Sequence, residues 1–213
     1  MRAAGIFVFC LFSSILSTVT SLKCQKCVAL GSECEKLDTT VVECKEDEEF
    51  CSTLVANTTI TNIAVSLIVK DCSKREDCYD GLFITTIVDD RFEIGRANCC
   101  QTDVCNAEPL HLENYDEFQP NGLQCPGCYA LDEDSCEANQ SVICVGDEDQ
   151  CLILSSSTEA FGNYTEMSTY QGCTTKNSCS FPLGLTEIGG GQIRFNVTIL
   201  ECRNASSSEP DHQ

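Results

Sequence analysis

The chain has 213 residues, 19 cysteines, no tryptophan and a formal net charge of −20. So acidic a balance excludes nucleic acid as a natural partner, because phosphate backbones are held by Lys and Arg, and it disfavours adsorption to anionic membranes. The cysteine density belongs to oxidised extracellular scaffolds and is rare in the reducing cytosol.

Residues 1–21 read as a secretory signal peptide: Arg2 gives the positive charge, Gly5 to Leu16 the apolar stretch, and Val19 and Ser21 the small residues before the cut. The stretch is too short to span about 30 Å of hydrocarbon, and nothing later is apolar for long enough. The polar tail, 204–213, lacks the hydrophobic end of a lipid anchor. The expectation is a secreted, extracellular protein with no membrane anchor. Removing Cys10 with the signal leaves 18 of the 19 cysteines, an even set in which every thiol can pair.

Two matched sets of cysteines follow. The first is Cys24, Cys27, Cys34, Cys44, Cys51, Cys72, Cys78, Cys99, Cys100 and Cys105; the second is Cys125, Cys128, Cys136, Cys144, Cys151, Cys173, Cys179 and Cys202. Successive steps run 3, 7, 10, 7, 21, 6, 21 and 3, 8, 8, 7, 22, 6, 23, and CKEDEEFC matches CVGDEDQC, so one module is written twice. The boundaries read as a first domain over 22–106, a linker over 107–124, and a second domain over 125–203. The linker has prolines, acidic residues and no Lys, Arg or Cys between Asn106 and Gln124, which predicts an exposed connection. Each module is too small to rely on an apolar core alone, so its bridges must carry much of its stability.

Between the cysteines the pattern is that of strands. Ile63, Val65, Leu67 and Val69 alternate with Ala64, Ser66, Ile68 and Lys70; Ile193, Phe195, Val197 and Ile199 alternate with Arg194, Asn196, Thr198 and Leu200. Period two predicts one packed face. Each long inter-cysteine gap fits two strands and a turn, with Gly162-Asn163 and Gly189-Gly190-Gly191 the clearest turns.

Cys99-Cys100-Gln-Thr-Asp-Val-Cys105-Asn106 and the opening Leu22-Lys-Cys24-Gln-Lys-Cys27 resemble the closing CC-x4-CN and the start of the three-finger domains of the lymphocyte antigen 6 and urokinase-receptor family. The resemblance implies an all-β, disulfide-rich chain of two tandem three-finger domains. It also implies bridges Cys24–Cys51, Cys27–Cys34, Cys44–Cys72, Cys78–Cys99 and Cys100–Cys105, then Cys125–Cys151, Cys128–Cys136, Cys144–Cys173 and Cys179–Cys202; eight cysteines alone allow 105 pairings. The second module ends at Cys202 without the closing pair, so a less firmly tied end is expected. That truncation and the Asn121-Gly-Leu-Gln-Cys125-Pro-Gly127 opening are similar to the gamma-type phospholipase A2 inhibitors, which bind and neutralise secreted phospholipases A2.

Catalytic, metal and cofactor readings find little support in the residues. The pairs Cys24/Cys27 and Cys125/Cys128 have CxxC spacing, but each is followed by a third cysteine at a matched distance and no βαβ pattern surrounds it, which points to structural bridges. The only histidines are His111 in the linker and His212 in the tail, far from any cysteine cluster, so both zinc and a general base lack their usual residue. Five Asn-x-Ser/Thr sequons, at Asn57, Asn139, Asn163, Asn196 and Asn204, are expected to be glycosylated surface positions. Glu46, Asp47, Glu48, Glu49 and Asp147, Glu148, Asp149 are expected in solvated loops, where they would steer a basic partner. The reading is a secreted, non-enzymatic inhibitor that occludes a secretory phospholipase A2 by contact. The alternative is a soluble receptor-like or adhesion protein that binds a cell-surface or matrix protein. Both need a protein partner, and both leave a homo- or hetero-oligomer open.

Overall fold

The computed structural model describes residues 21–31, 33–34, 39–61 and 64–207. Most of the expected signal peptide with Cys10, Ile63 of the alternating run, and the tail beyond 207 with His212 lie outside the described residues. Among the described residues the chain is all-β and forms six antiparallel hairpins, three to a module. In the first module β1 (Lys23–Leu30) pairs with β2 (Thr40–Glu43), β3 (Phe50–Thr58) with β4 (Val65–Ser73), and β5 (Gly81–Ile87) with β6 (Phe92–Cys100). The second repeats this with β7 (Pro120–Leu131) and β8 (Gln140–Val145), β9 (Gln150–Ala160) and β10 (Tyr164–Thr174), and β11 (Gly184–Ile188) and β12 (Ile193–Asn204). These are two tandem three-finger units.

Among the described residues the fingers are gathered at their bases by nine bridges: Cys24–Cys51, Cys27–Cys34, Cys44–Cys72, Cys78–Cys99 and Cys100–Cys105 in the first module, and Cys125–Cys151, Cys128–Cys136, Cys144–Cys173 and Cys179–Cys202 in the second. Around each base the sulfurs themselves are core. Cys24, Cys44 and Cys51 are buried with Leu22, Cys72, Cys100 and Cys105 against them, and Cys125, Cys144, Cys151 and Cys173 form the second cluster. Asn106 closes the first module: its amide nitrogen donates to the carbonyls of Gln25 and Ser52, and its Oδ1 accepts from the Gln25 N–H.

The modules are joined edge to edge. The sheet runs β11-β12-β9-β10-β5-β6-β3-β4-β1-β2, and the seam between β10 and β5 pairs Gly172 with Ile87, Cys173 with Thr86, and Thr174 with Thr85. A Cβ at Gly172 would come within 2.1 Å of the Thr86 carbonyl oxygen, so only glycine lets the strands close here. Across the seam Ile60 and Ile87 pack with Leu152 and Tyr170, and Val88 enters the second module's cysteine cluster. At the far ends, Gly189 and Gly190 at the β11–β12 tip lie against Val28 and Lys26 of β1, so the sheet curls until its outer fingers touch.

Four details depart from the sequence expectations. Lys70 falls on the polar side of β4 by alternation but is buried, its ammonium donating to the carbonyl oxygens of Ala107 and Glu108 and to Gln25 Oε1. The linker is therefore not a free connection. It crosses one face of the first module, with Glu113 paired to Arg96, Tyr115 stacked on Phe92 at 4.0 Å, and the Tyr115 hydroxyl 2.7 Å from that of Thr86; strand β7 then begins at Pro120, inside the expected linker. In β12 a bulge between Val197 and Ile199 shifts the register, so Ile199 turns to solvent and Leu200 packs on the core. Finally, the end of the second module is tied by backbone instead of a closing bridge. Strand β12 pairs with β9 as far as Asn204, Ala205 N–H donates to the Asp149 carbonyl, and β13 (Ser206–Ser207) pairs with Gln124 and Leu123 of β7.

Candidate protein-binding surface

The two CxxC pairs are not dithiols: Cys24 and Cys27 bridge to Cys51 and Cys34, and Cys125 and Cys128 to Cys151 and Cys136. Cys24, Cys44 and Cys72, like Cys125, Cys144 and Cys173, bring three sulfurs close together. Each of those sulfurs is bonded to another cysteine, a state that offers no thiolate to a metal. His111 is exposed in the linker.

The matched acidic loops sit at matched places, in the turns that enter β3 and β9, and begin from the same local hydrogen bond. Glu48 Oε2 accepts from the Lys45 N–H at 2.9 Å, and Glu148 Oε2 from the Val145 N–H at 2.8 Å. Beyond that they diverge. In the first loop Glu48 also pairs with the Lys45 ammonium, Asp47 with Lys74 and Glu49 with Arg75. The hydrogen bond from Lys74 holds the Asp47 carboxyl below its usual range and raises Lys74 in return.

In the second loop, valine replaces the lysine and the expectation of a solvated carboxylate fails at Glu148. Its side chain is fully buried, beside Thr86 of β5, and its Oε1 has no hydrogen-bond partner. The Asn121 amide donates to its backbone carbonyl at 2.8 Å. Burial in the seam raises its pKa to about 7. Glu148 is thus a packing residue of the junction. Of the seven expected steering residues, Glu46, Asp147 and Asp149 remain exposed without an ion pair among the described residues.

Sequence reasoning also missed a polar cluster at the seam. Arg91 lies over the Tyr129 ring at 4.3 Å and donates to the Ile60 carbonyl, Tyr164 donates to Glu166 Oε2 at 2.6 Å, and burial raises Glu93 to about 7. Nothing in the residues' spacing marks the cluster, because Arg91 of the first module meets Tyr129 of the second only when the modules dock. An open cleft beside the seam is lined by Asp89, Glu133 and Glu137, adding negative charge there. Of the sequon residues, Asn139, Asn163, Asn196 and Asn204 are exposed and Asn57 is half-buried in β3. Exposed apolar side chains stand on the outer fingers, Leu30 and Val41 on the first and Leu183 and Leu185 on the last. Such a surface has the means for protein contact: apolar points set in an acidic field on a rigid, cross-linked body.

The profile described as Phospholipase A2 inhibitor matches residues 22–107, and that of the u-PAR/Ly-6 domain matches residues 121–210. A protein named phospholipase A2 inhibitor NAI from Notechis ater is 30% identical over 80% of this chain and 82% of its own length. The chain belongs to the phospholipase A2 inhibitor family. A gamma-type member of the same family from Elaphe quadrivirgata is 31% identical over 80% of this chain and 82% of its own. The phospholipase A2 inhibitor PIP from Malayopython reticulatus, at 29%, aligns over 92% and 93%. The crystal structure of mouse TEX101 aligns over 85% of this chain and 99% of its own at 18% identity and a TM-score of 0.34. Among the described residues of this family member, no helix is long and apolar enough to cross a membrane.

Proposed function

We propose that the chain is a secreted inhibitor of secretory phospholipase A2 that acts by non-covalent contact, covering the enzyme's lipid-facing surface or substrate entrance. The observation that carries this reading is the match to proteins named as phospholipase A2 inhibitors across both modules and not one alone. The geometry supports a binding body more than a reacting one. Nine bridges and a continuous seam hold the fingers in place, so little conformational entropy is lost when a partner docks. The exposed Glu46, Asp147 and Asp149 raise the encounter rate with a basic enzyme, while Leu30 and Val41 lie within the segment that the inhibitor profile matches. The test is a titration against a panel of secreted phospholipases A2, read as residual activity and repeated after dilution. Stoichiometric loss that dilution restores, with the enzyme's mass unchanged, is the expected result; full activity at excess inhibitor across the panel overturns it.

The u-PAR/Ly-6 match of the second module favours one other reading, a receptor-like or adhesion protein whose partner is on a cell surface or in the matrix. A pull-down from serum or secretions separates the two by whether a phospholipase is recovered.

A further inference from the structure

We propose that Asn196 carries an N-linked glycan whose first sugars lie over Leu185 and seal the outer edge of the last finger. Strand β11 is the terminal strand of the sheet, with no strand hydrogen-bonded to its outer side among the described residues; only the Gly189-Gly190 turn that follows it lies against β1. An edge strand with exposed apolar side chains is a template for pairing with another chain unless something blunts it. Leu183 and Leu185 are 65% and 59% exposed, and Ile199 on the neighbouring strand is exposed too.

The register says what covers Leu185. Leu185 stands directly opposite Asn196, while the flanking pairs, Gly184 with Val197 and Thr186 with Phe195, turn to the other face. Directly opposed residues of an antiparallel pair share one face with Cβ atoms about 5 Å apart. Asn196-Val197-Thr198 is a sequon, and Asn196 is exposed. A sugar on its amide nitrogen begins within a side chain's length of Leu185, and the apolar face of a pyranose ring suits an isopropyl group. The next row along the same face is polar: Arg194 is ion-paired to both Glu187 and Glu159, leaving Leu185 an apolar point in an otherwise solvated field. The proposal is independent of the phospholipase reading. A protein partner seated on Leu185 is the competing occupant, and the experiment tells the two apart.

Once the Cys179–Cys202 bridge is reduced and alkylated, trypsin releases residues 195–203 as a peptide that contains the Asn196 sequon alone, since Arg194 precedes it and Arg203 separates it from Asn204. Protein secreted from mammalian cells is digested, treated with peptide N-glycosidase in heavy-oxygen water and analysed by mass spectrometry. The peptide is expected mainly in its deamidated, labelled form; a mainly unmodified peptide overturns the proposal. The second arm compares N196Q with N196Q/L185T by light scattering and by binding of a hydrophobic dye. N196Q is expected to raise dye binding several-fold and to self-associate, and L185T to restore the wild-type values. If N196Q matches the glycosylated wild type, or if L185T fails to rescue it, the glycan does not cover Leu185 and that part of the proposal falls.

Discussion

The hydroxyl of Thr85 in the first module lies 2.8 Å from the hydroxyl of Thr174 in the second, and both are buried. Thr174 also bonds the Ile84 carbonyl at 3.0 Å, so the seam has a side-chain clasp beside its three backbone pairs. Removing one partner of a buried hydrogen bond leaves the other unsatisfied, at a cost of about 1–3 kcal/mol, whereas removing both relieves it. T174V is therefore expected to lower the unfolding free energy by about that amount, and T85V/T174V by less than the sum of the single variants. Denaturant unfolding of the three variants checks this; full additivity would mean that the hydroxyls do not interact.

Glu148 makes the junction sensitive to protons. Its carboxyl is raised from an ordinary 4.5 to about 7 by burial, so the unfolded chain ionises first as pH rises. Stability from this group is complete below pH about 4.5, falls between about 4.5 and 7, and levels off above, by an amount on the order of 3 kcal/mol. Glu93, raised to about 7 by burial, contributes in the same sense, and the exposed Asp47, lowered by Lys74, in the opposite one. The difference between wild type and E148Q isolates the single group. E148Q is expected to gain on wild type as pH rises from 5 to 8, measured as the shift in melting temperature; parallel curves would place the ionised carboxylate in contact with water.

The charge distribution sets a third expectation. Glu46, Asp147 and Asp149 are the exposed members of the acidic loops without an ion pair among the described residues. Replacing all three with Gln and Asn is expected to slow association with a basic phospholipase at 0.01 M salt, where the Debye length is about 30 Å. The difference should largely vanish at 0.1 M, where it is about 10 Å. D47N/E49Q, which frees Lys74 and Arg75, also removes one negative charge per substitution and is expected to weaken the attraction to a similar extent per residue. Surface plasmon resonance at the two salts reads both, and a rise in dissociation rate that persists at 0.1 M would move the loops into the contact itself.

Sulfur commitment gives the fourth. A chelator is expected to leave the circular dichroism spectrum and binding unchanged, because the clustered sulfurs at both finger bases are spent on bridges. A reductant should abolish both. Unfolding by chelator alone would show that a metal holds one of the clusters.

The finger architecture was legible because it is written in cysteine spacing and in period-two runs, both local signals. What escaped was contact between segments distant in sequence, at the seam and beneath the linker, and one local irregularity in β12. Glu148 and Glu48 look alike in sequence, and only the replacement of Lys45 by Val145 and the approach of Thr86 decide that one is ion-paired and the other buried. Lys70 follows the alternation of β4 but sits under the linker, whose composition alone suggested solvent. The bulge after Val197 reverses the packed side for Leu200, and no residue at that point announces it. The partner surface was less legible still: exposed Leu30, Val41 and Leu185 are ordinary strand residues until their neighbours are known.

The seam has a consequence for how such a chain could arise and be taken apart. A lone three-finger unit copied once would carry two open margins, the outer side of β5 in one copy and the base of β10 in the other, each with backbone groups seeking a partner. Here each margin satisfies the other, and Glu148 and Val88 fill the gap between them. Half of the molecule, expressed alone, would inherit a raw edge and an emptied socket, so the two modules are expected to unfold as one unit and not one after the other.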